Sequence, residues 1–396
     1  MDFNLTQEQQ AFQKEVGKWL DEQMTPELAY DMRGFSWETV WPGELPASVR
    51  EFTRKIVAKG WIGMDWPKKY GGQERSLIEQ YIVVEELEYR HLRVYGFCAM
   101  TMVGPMLLAQ GTEEQKMRFL PRIVRGELET ALGYTEPQAG SDLAAVELRA
   151  EEHGDYYILN GQKMFSTLAH LVDYHWLAAR TERTFPKHRG LSMFLVDLKS
   201  PGITIRPLRA MDGGRTNEVF YDDVRVPKEN SVGEKNKGFY YAMEALDKER
   251  VMVLRFGMLR RLFDQLFSYA QKTKRDGSLV AANPLVRHRL AEFATEVEIA
   301  RLLNYKALWM ADNKLPIRYE TALFKLYISE VIQRWLNFGM ELMGLRGQLS
   351  EDSKWAPFAG EIRKGYEGNY VMTFGAGSSE IMRNIIALRG LGLPLE

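Results

Sequence analysis

The sequence predicts an α+β protein in three consecutive parts: an N-terminal helical domain (1–128), a middle β domain (129–238) and a C-terminal four-helix bundle (239–396). Three observations predict it. Apolar residues recur at helical spacing through the first part, short β-rich runs replace them in the second, and long helical periods return in the third. No internal repeat or low-complexity segment interrupts this layout.

The composition suits such a chain. With 396 residues, 45% of them hydrophobic and 27% charged, there is material for two or three domains with sizeable cores. The 52 basic and 53 acidic residues nearly cancel, so no bulk electrostatic pull directs the chain to nucleic acid or to an anionic membrane. Cys98 is the single cysteine and the six histidines show no zinc spacing, which predicts a reducing compartment and no structural metal. Met1 to Glu8 has neither the basic nor the apolar region of a signal peptide. The most apolar run, Val94 to Ala109, is short for a bilayer and holds Gly96, Gly104 and Pro105, so it reads as a buried helix or loop. A soluble, cytoplasmic protein is the expectation.

Taken in order, Thr6-Gln7-Glu8-Gln9 reads as a capping box, in which a hydroxyl and a glutamine satisfy each other's orphan backbone donors, and a helix should follow to about Gln23. Pro46 to Ala58 predicts a second, with Pro46 at its first position and Gly60 just past its end. Trp61 to Gly72 reads as a loop. Ser76 to Arg90 and Glu113 to Val124 are helical in period, the latter stopped by Gly126. Strands are expected at Leu128 to Thr135, Val146 to Glu152, Tyr156 to Leu159, Lys163 to Ser166, Tyr174 to Arg180, Leu191 to Asp197, Ile203 to Leu208 and Asn217 to Val224. Among them, His153-Gly154-Asp155 and Asn160-Gly161 give hairpin turn signals. Beyond Gly238 the helical segments run roughly from Phe239 to Lys272, Asn283 to Asp312, Ile317 to Met343, Trp355 to Lys364 and Ser378 to Arg389.

One string stands out: Gly133-Tyr134-Thr135-Glu136-Pro137-Gln138-Ala139-Gly140-Ser141-Asp142. Alone it could be no more than a turn joining two elements. With Gly161 to Thr167, Val232 to Phe239, Trp61 to Pro67, Tyr70 to Gly72 and Gly377 to Ile381 in the same order, it resembles the acyl-CoA dehydrogenase family over essentially the whole chain. Lys187-His188-Arg189-Gly190 and the Thr-Phe-Gly-x-Gly ending at Gly377 are most similar to the large or α subunits of heteromeric members, of the steroid side-chain and pimeloyl-CoA dehydrogenase types.

That resemblance implies FAD as cofactor and removal of a Cα proton and a Cβ hydride from an acyl-CoA thioester, giving the trans-2-enoyl-CoA. Electrons would then pass to electron-transfer flavoprotein. A weakly acidic α-proton calls for a carboxylate in an apolar, water-excluded place that lifts its pKa. In much of the family that glutamate stands at the position of Ala376; in other branches it lies in the catalytic helix, at the position of Glu249, and both positions face the same Cα. Glu249 is therefore the candidate base, against the plainer reading of a solvated carboxylate paired with Arg250 or Lys248.

By the same resemblance, Tyr134, Thr135, Gly140, Ser141, Phe165, Ser166 and Thr167 are expected at the flavin, and Ser378 and Glu380 at its adenosine half. Ser141, Asp247, Arg250, Ala376 and Gly377 are expected at the substrate, the backbone N–H of Ala376 serving the thioester oxygen. An i, i+3 pair such as Asp247 and Arg250 is commonly only helix support. Phe165, where many members have Trp, is as well read as a core aromatic, and His170 is a candidate pocket residue.

Two departures bear on partners. Many homotetrameric members carry Arg-x-x-Phe-Gly after the catalytic helix, and the region here is Lys272-Thr273-Lys274-Arg275-Asp276-Gly277. A glutamine that assists the same contact to a neighbour's FAD is matched by Glu341, and a carboxylate is a poor neighbour for a diphosphate. A homologous second subunit, in an α2β2 assembly, is the expectation. The alternatives are a non-catalytic shaping subunit and an oxygen-using or desulfinase relative on the same fold.

Overall fold

The computed structural model describes residues 4–33, 43–252 and 255–394. The first three residues of the terminal stretch, and the Val253-Leu254 step inside the helix expected from Phe239 to Lys272, lie outside the described residues.

In chain order the helices are α1 (Gln7–Gln23), α2 (Pro26–Arg33), α3 (Ala47–Ala58), α4 (Leu77–Tyr89), α5 (Gly104–Gln110) and α6 (Glu113–Val124). The strands β1 (Thr130–Gly133), β2 (Arg149–His153), β3 (Tyr156–Lys163), β4 (Tyr174–Arg180), β5 (Leu191–Asp197), β6 (Ile203–Arg209), β7 (Arg215–Pro227) and β8 (Ser231–Val232) follow. Then come α7 (Gly238–Met252), α8 (Phe256–Lys272), the small hairpin β9 (Lys274–Arg275) and β10 (Ser278–Leu279), α9 (Pro284–Asp312), α10 (Glu320–Met343), α11 (Glu361–Gly368) and α12 (Ser379–Ile385). The helical, β and helical order is the one the sequence predicts. It divides into two compact units, one of Met1–Ser36, Ser76–Arg93 and Arg250–Glu396, the other of Trp37–Arg75 and Val94–Glu249.

In the first unit α4 is the central helix, packed on α1, α8 and α9. Every residue from Gln80 to Glu88 is buried, three glutamates among them. Carboxylates placed there need partners, because an unpaired charge in an apolar interior costs far more than it returns. They have them: Glu86 meets Arg90 at 2.6 Å, Glu85 pairs with Arg260 and accepts the Tyr305 hydroxyl at 2.8 Å. Glu88 accepts the backbone N–H groups of Arg255 and Gly257, both at 3.2 Å. Those two bonds cap α8, and Arg255 takes a left-handed φ of +61°, so the single helix expected from Phe239 to Lys272 is two helices.

In the second unit an eight-stranded sheet runs β6-β7-β3-β2-β4-β5-β8, with β1 paired to β4. It is mostly antiparallel, the β1 and β2 pairings to β4 being parallel. Strand β4 is buried from Tyr174 to Ala179, as a near-continuous apolar run requires when both faces are covered. At the rim, β6 is largely exposed and holds Pro207, a residue that edge strands tolerate. Glycine and aspartate turn the β2–β3 hairpin, where His153 opposes Tyr156.

Other expectations need correction. Asn160-Gly161 is no hairpin turn: it lies inside β3 at a register shift against β7, where Gly161 adopts φ +141° and so supplies a bulge. Lys163 ends that same strand, so the separate strand to Ser166 does not exist. The helix expected from Trp355 starts at Glu361, because Phe358 and Ala359 sit at φ +51° and +52°. Pro46 is the N-cap of α3 and not its first residue. α2 and the β9–β10 hairpin had no counterpart in the sequence reading. The Val94 to Ala109 run forms a buried π-helical turn at Ala99–Val103 leading into α5. Among the described residues, no helix is long and apolar enough to cross a membrane.

Candidate active site

The second unit gathers the two motif loops. Parallel pairing sets Gly133 of β1 opposite Leu177 of β4, so the chain leaves the sheet at Tyr134. A tight turn follows, with Glu136 and Ala139 exchanging backbone hydrogen bonds at 3.0 and 3.1 Å. The Glu136 side chain, itself buried, accepts from the backbone N–H of Glu147 (2.7 Å) and Leu148 (3.0 Å), from Gln138 (2.7 Å) and from the Lys163 ammonium (2.7 Å). Lys163 is fully buried, and burial pushes its pKa down to about 8 despite the opposing pull of Glu136. It also donates to the Tyr134 carbonyl at 3.3 Å, and the Met164 N–H donates to the Thr135 carbonyl at 2.8 Å. These bonds tie the Tyr134 to Ser141 turn to the end of β3.

From that junction the second loop runs outward. Phe165 takes φ +55° and holds its ring 60% exposed. Ser166 is buried: its N–H donates to the Asn217 carbonyl, and the Asn217 amide donates back to the Ser166 carbonyl, both at 2.9 Å. The same amide lies 3.1 Å from Nδ1 of His170, and the Thr167 and Thr216 hydroxyls are 3.1 Å apart. The Ser166 Oγ is buried and has no partner among the described residues. Gly140 and Ser141 are exposed, with open space where a Cβ on Gly140 would stand. An exposed ring, an open edge at Gly140 and a buried hydroxyl with no partner among the described residues fit a planar, polar-edged group such as a flavin, which Thr135, Ser166 and Thr167 would hold.

Also in this unit, α7 carries Asp247 and Glu249, both half-buried. Lys248 pairs with Glu244 at 3.0 Å and donates to the Pro105 carbonyl, so its charge is not spent on Glu249. The Glu249 Oε2 is shielded from solvent. Its charge reaches the buried Tyr134 hydroxyl, whose pKa burial raises first and Glu249 further.

In the first unit, buried Arg250 donates to the Ala376 carbonyl, and buried Lys325 donates to that of Gly377 at 2.5 Å. Ala376 takes φ +51° and Gly377 φ +97°. Ser378 caps α12, its Oγ accepting the Ile381 N–H at 3.3 Å, and Glu380 stands exposed in the first turn with its pKa lowered chiefly by backbone N–H bonding.

Sequence reasoning missed the Glu136–Lys163 pair, Asn217, Trp176 and Lys325. A lysine in a strand gives no sign of its burial, and although Glu136 and Lys163 stand in the motif strings, Asn217, Trp176 and Lys325 stand in none.

The comparisons with known proteins cover the whole chain. Models of the acyl-CoA dehydrogenase N-terminal, middle and C-terminal domains match residues 6–127, 131–224 and 236–391. The acyl-CoA dehydrogenase FadE29 of Mycobacterium tuberculosis is 34% identical over 403 residues, spanning 100% of this chain and 99% of that one. Among solved structures, the Tcur3481-Tcur3483 steroid ACAD has TM-score 0.90 at 31% identity, with all of both chains covered. The ChsE4-ChsE5 complex from Mycobacterium tuberculosis has TM-score 0.90 at 32% identity and the same coverage. The fold and its loops define a flavoprotein oxidoreductase architecture. The chain belongs to the acyl-CoA dehydrogenase family and is an enzyme of that class.

Proposed function

We propose that this enzyme converts an acyl-CoA thioester to the trans-2-enoyl-CoA, with Glu249 as the base. The observation that carries the reading is the shielded Glu249 carboxylate oxygen, in one compact unit with the Tyr134 to Ser141 and Phe165 to Thr167 loops. FAD, when bound, supplies the hydride acceptor at Cβ. Glu249 takes the Cα proton, and shielding from water favours a basicity suited to that transfer. Thr135, Ser166 and Thr167 hold the flavin edge, with Tyr134, Gly140, Ser141 and Phe165 around it, while Ser378 and Glu380 serve the adenosine half. Asp247, Arg250 and Gly377 order the substrate, and the Ala376 N–H donates to the thioester oxygen as negative charge builds there. The division at about 128 and 238 belongs to the same reading.

A homologous second subunit and electron-transfer flavoprotein are the proposed partners, and the missing Phe-Gly motif and Glu341 support the first. A homotetramer with one FAD per chain, seen by native mass spectrometry after expression alone, would remove that support. The reaction itself is tested by anaerobic mixing of flavin-loaded enzyme with a panel of acyl-CoAs. Bleaching of the flavin with enoyl-CoA as product is expected, and flavin that stays oxidised with every acyl-CoA would overturn it.

A further inference from the structure

Among the described residues, no group receives the proton of the Tyr134 hydroxyl. Its ring is 8% exposed, and the fully buried Trp176 donates its indole N–H to the hydroxyl oxygen at 2.8 Å. An indole can only donate, so this bond occupies a lone pair and leaves the phenol proton to be given elsewhere. Among the described residues none accepts it. A buried donor left unmet costs stability, and it persists where a ligand completes it. Burial first, and then the neighbouring Glu249 and Cys98, raise the phenol pKa, so the hydroxyl keeps its proton. Those two neighbours also locate it: Glu249 on α7, Cys98 before α5 and Trp176 on β4 all belong to the second unit.

We propose that Tyr134 is a substrate-binding residue whose hydroxyl, aimed by Trp176, donates to an oxygen of the bound acyl thioester near Glu249. The inference rests on the acyl-CoA dehydrogenase reading with Glu249 as base. Two oxygens have this chemistry. One is the thioester carbonyl, which gains negative charge as the Cα proton leaves; the other is a hydroxyl or keto oxygen on the acyl chain. A site that spends a buried donor on such an oxygen rejects an analogue lacking it far more strongly than an apolar pocket rejects a missing methylene.

The test is Tyr134→Phe in the flavin-loaded enzyme, assayed with a saturated hydrocarbon acyl-CoA and with a matched one bearing a hydroxyl or keto group. A fall of about tenfold or more in kcat/KM on both substrates, mainly in kcat, assigns the donor to the carbonyl. The same fall confined to the oxygenated substrate assigns it to the chain. Changes under twofold on both overturn the proposal, and so does an altered flavin absorbance of the substrate-free variant, which would hand the donor to the cofactor. Trp176→Phe keeps an aromatic side chain, removes the N–H and should reproduce part of the same substrate pattern; it carries the test if Tyr134→Phe fails to fold. Glu249→Gln separates the two readings: full activity there sinks the base and leaves the donor, whereas an inactive Glu249→Gln beside an unaffected Tyr134→Phe sinks the donor alone.

Discussion

The Arg250 guanidinium spends two nitrogens on one oxygen, donating to the Ala376 carbonyl from Nε at 3.2 Å and from Nη2 at 3.0 Å. The loop it grips is conformationally demanding, because consecutive residues Ala376 and Gly377 both lie at positive φ. A Cβ on Gly377 would stand 2.6 Å from the Met382 Cε and 3.0 Å from that same Nη2. Gly377→Ala should therefore both strain the backbone and push Arg250 off its carbonyl. The expected cost is about 2 to 3 kcal/mol in urea unfolding. A wild-type midpoint would show that the loop yields without losing the contact.

The Glu136–Lys163 pair makes a different kind of claim. Both side chains are buried, and Glu136 is held by two backbone N–H groups as well as by the ammonium. Lys163→Met removes one charge and leaves the other inside. Breaking a buried pair in this way typically costs about 3 to 5 kcal/mol. Chemical denaturation of the flavin-free chain measures it, and Glu136→Gln with Lys163→Met together should recover part of the loss. A double variant no better than the single would mean that the pair does not act as a unit.

The same residues show how far the sequence could be read. The turn at Thr135 to Asp142 and the β2–β3 hairpin were legible because glycine, proline and aspartate act locally, through the dihedrals of their own residues. Asn160-Gly161 was misread because a bulge and a hairpin use the same residues, and pairing with a distant strand decides between them. The break at Arg255 was invisible for a similar reason: the side chain that caps α8 is Glu88, far away in the chain. Residues of the candidate site were named where they stand in a motif string. Trp176 stands in none, and Lys163 stands in one that gives no sign of its burial; what distinguishes them is a partner in the turn after β1, Tyr134 and Glu136.

Glu88 also predicts a pH dependence. Burial raises its pKa to about 8, against the opposing backbone bonds from Gly257 and Arg255. The folded state therefore keeps a proton that the unfolded chain releases from about pH 4.5 upward. Stability from this group is fully present below that pH and is lost as the pH rises through about 8. Glu88→Gln cannot ionise, so its thermal midpoint should fall less than that of the wild type between about pH 5 and about pH 9. Parallel declines in the two proteins would show that Glu88 is already ionised at neutral pH.

For Glu249 the decisive comparison is between binding and chemistry. Glu249→Gln preserves size and hydrogen-bonding shape, so flavin content and acyl-CoA affinity should stay close to those of the wild type. Proton removal is another matter, because an amide cannot act as the base. Flavin reduction by substrate in stopped flow should slow by roughly 10² to 10⁴-fold, the contribution of a positioned acid or base, or by more where shielding of the Oε2 position keeps a water from substituting. Equal losses in affinity and rate would indicate a carboxylate that orders the helix around it. An undiminished rate would move the base elsewhere, and with it the meaning of an alanine at position 376.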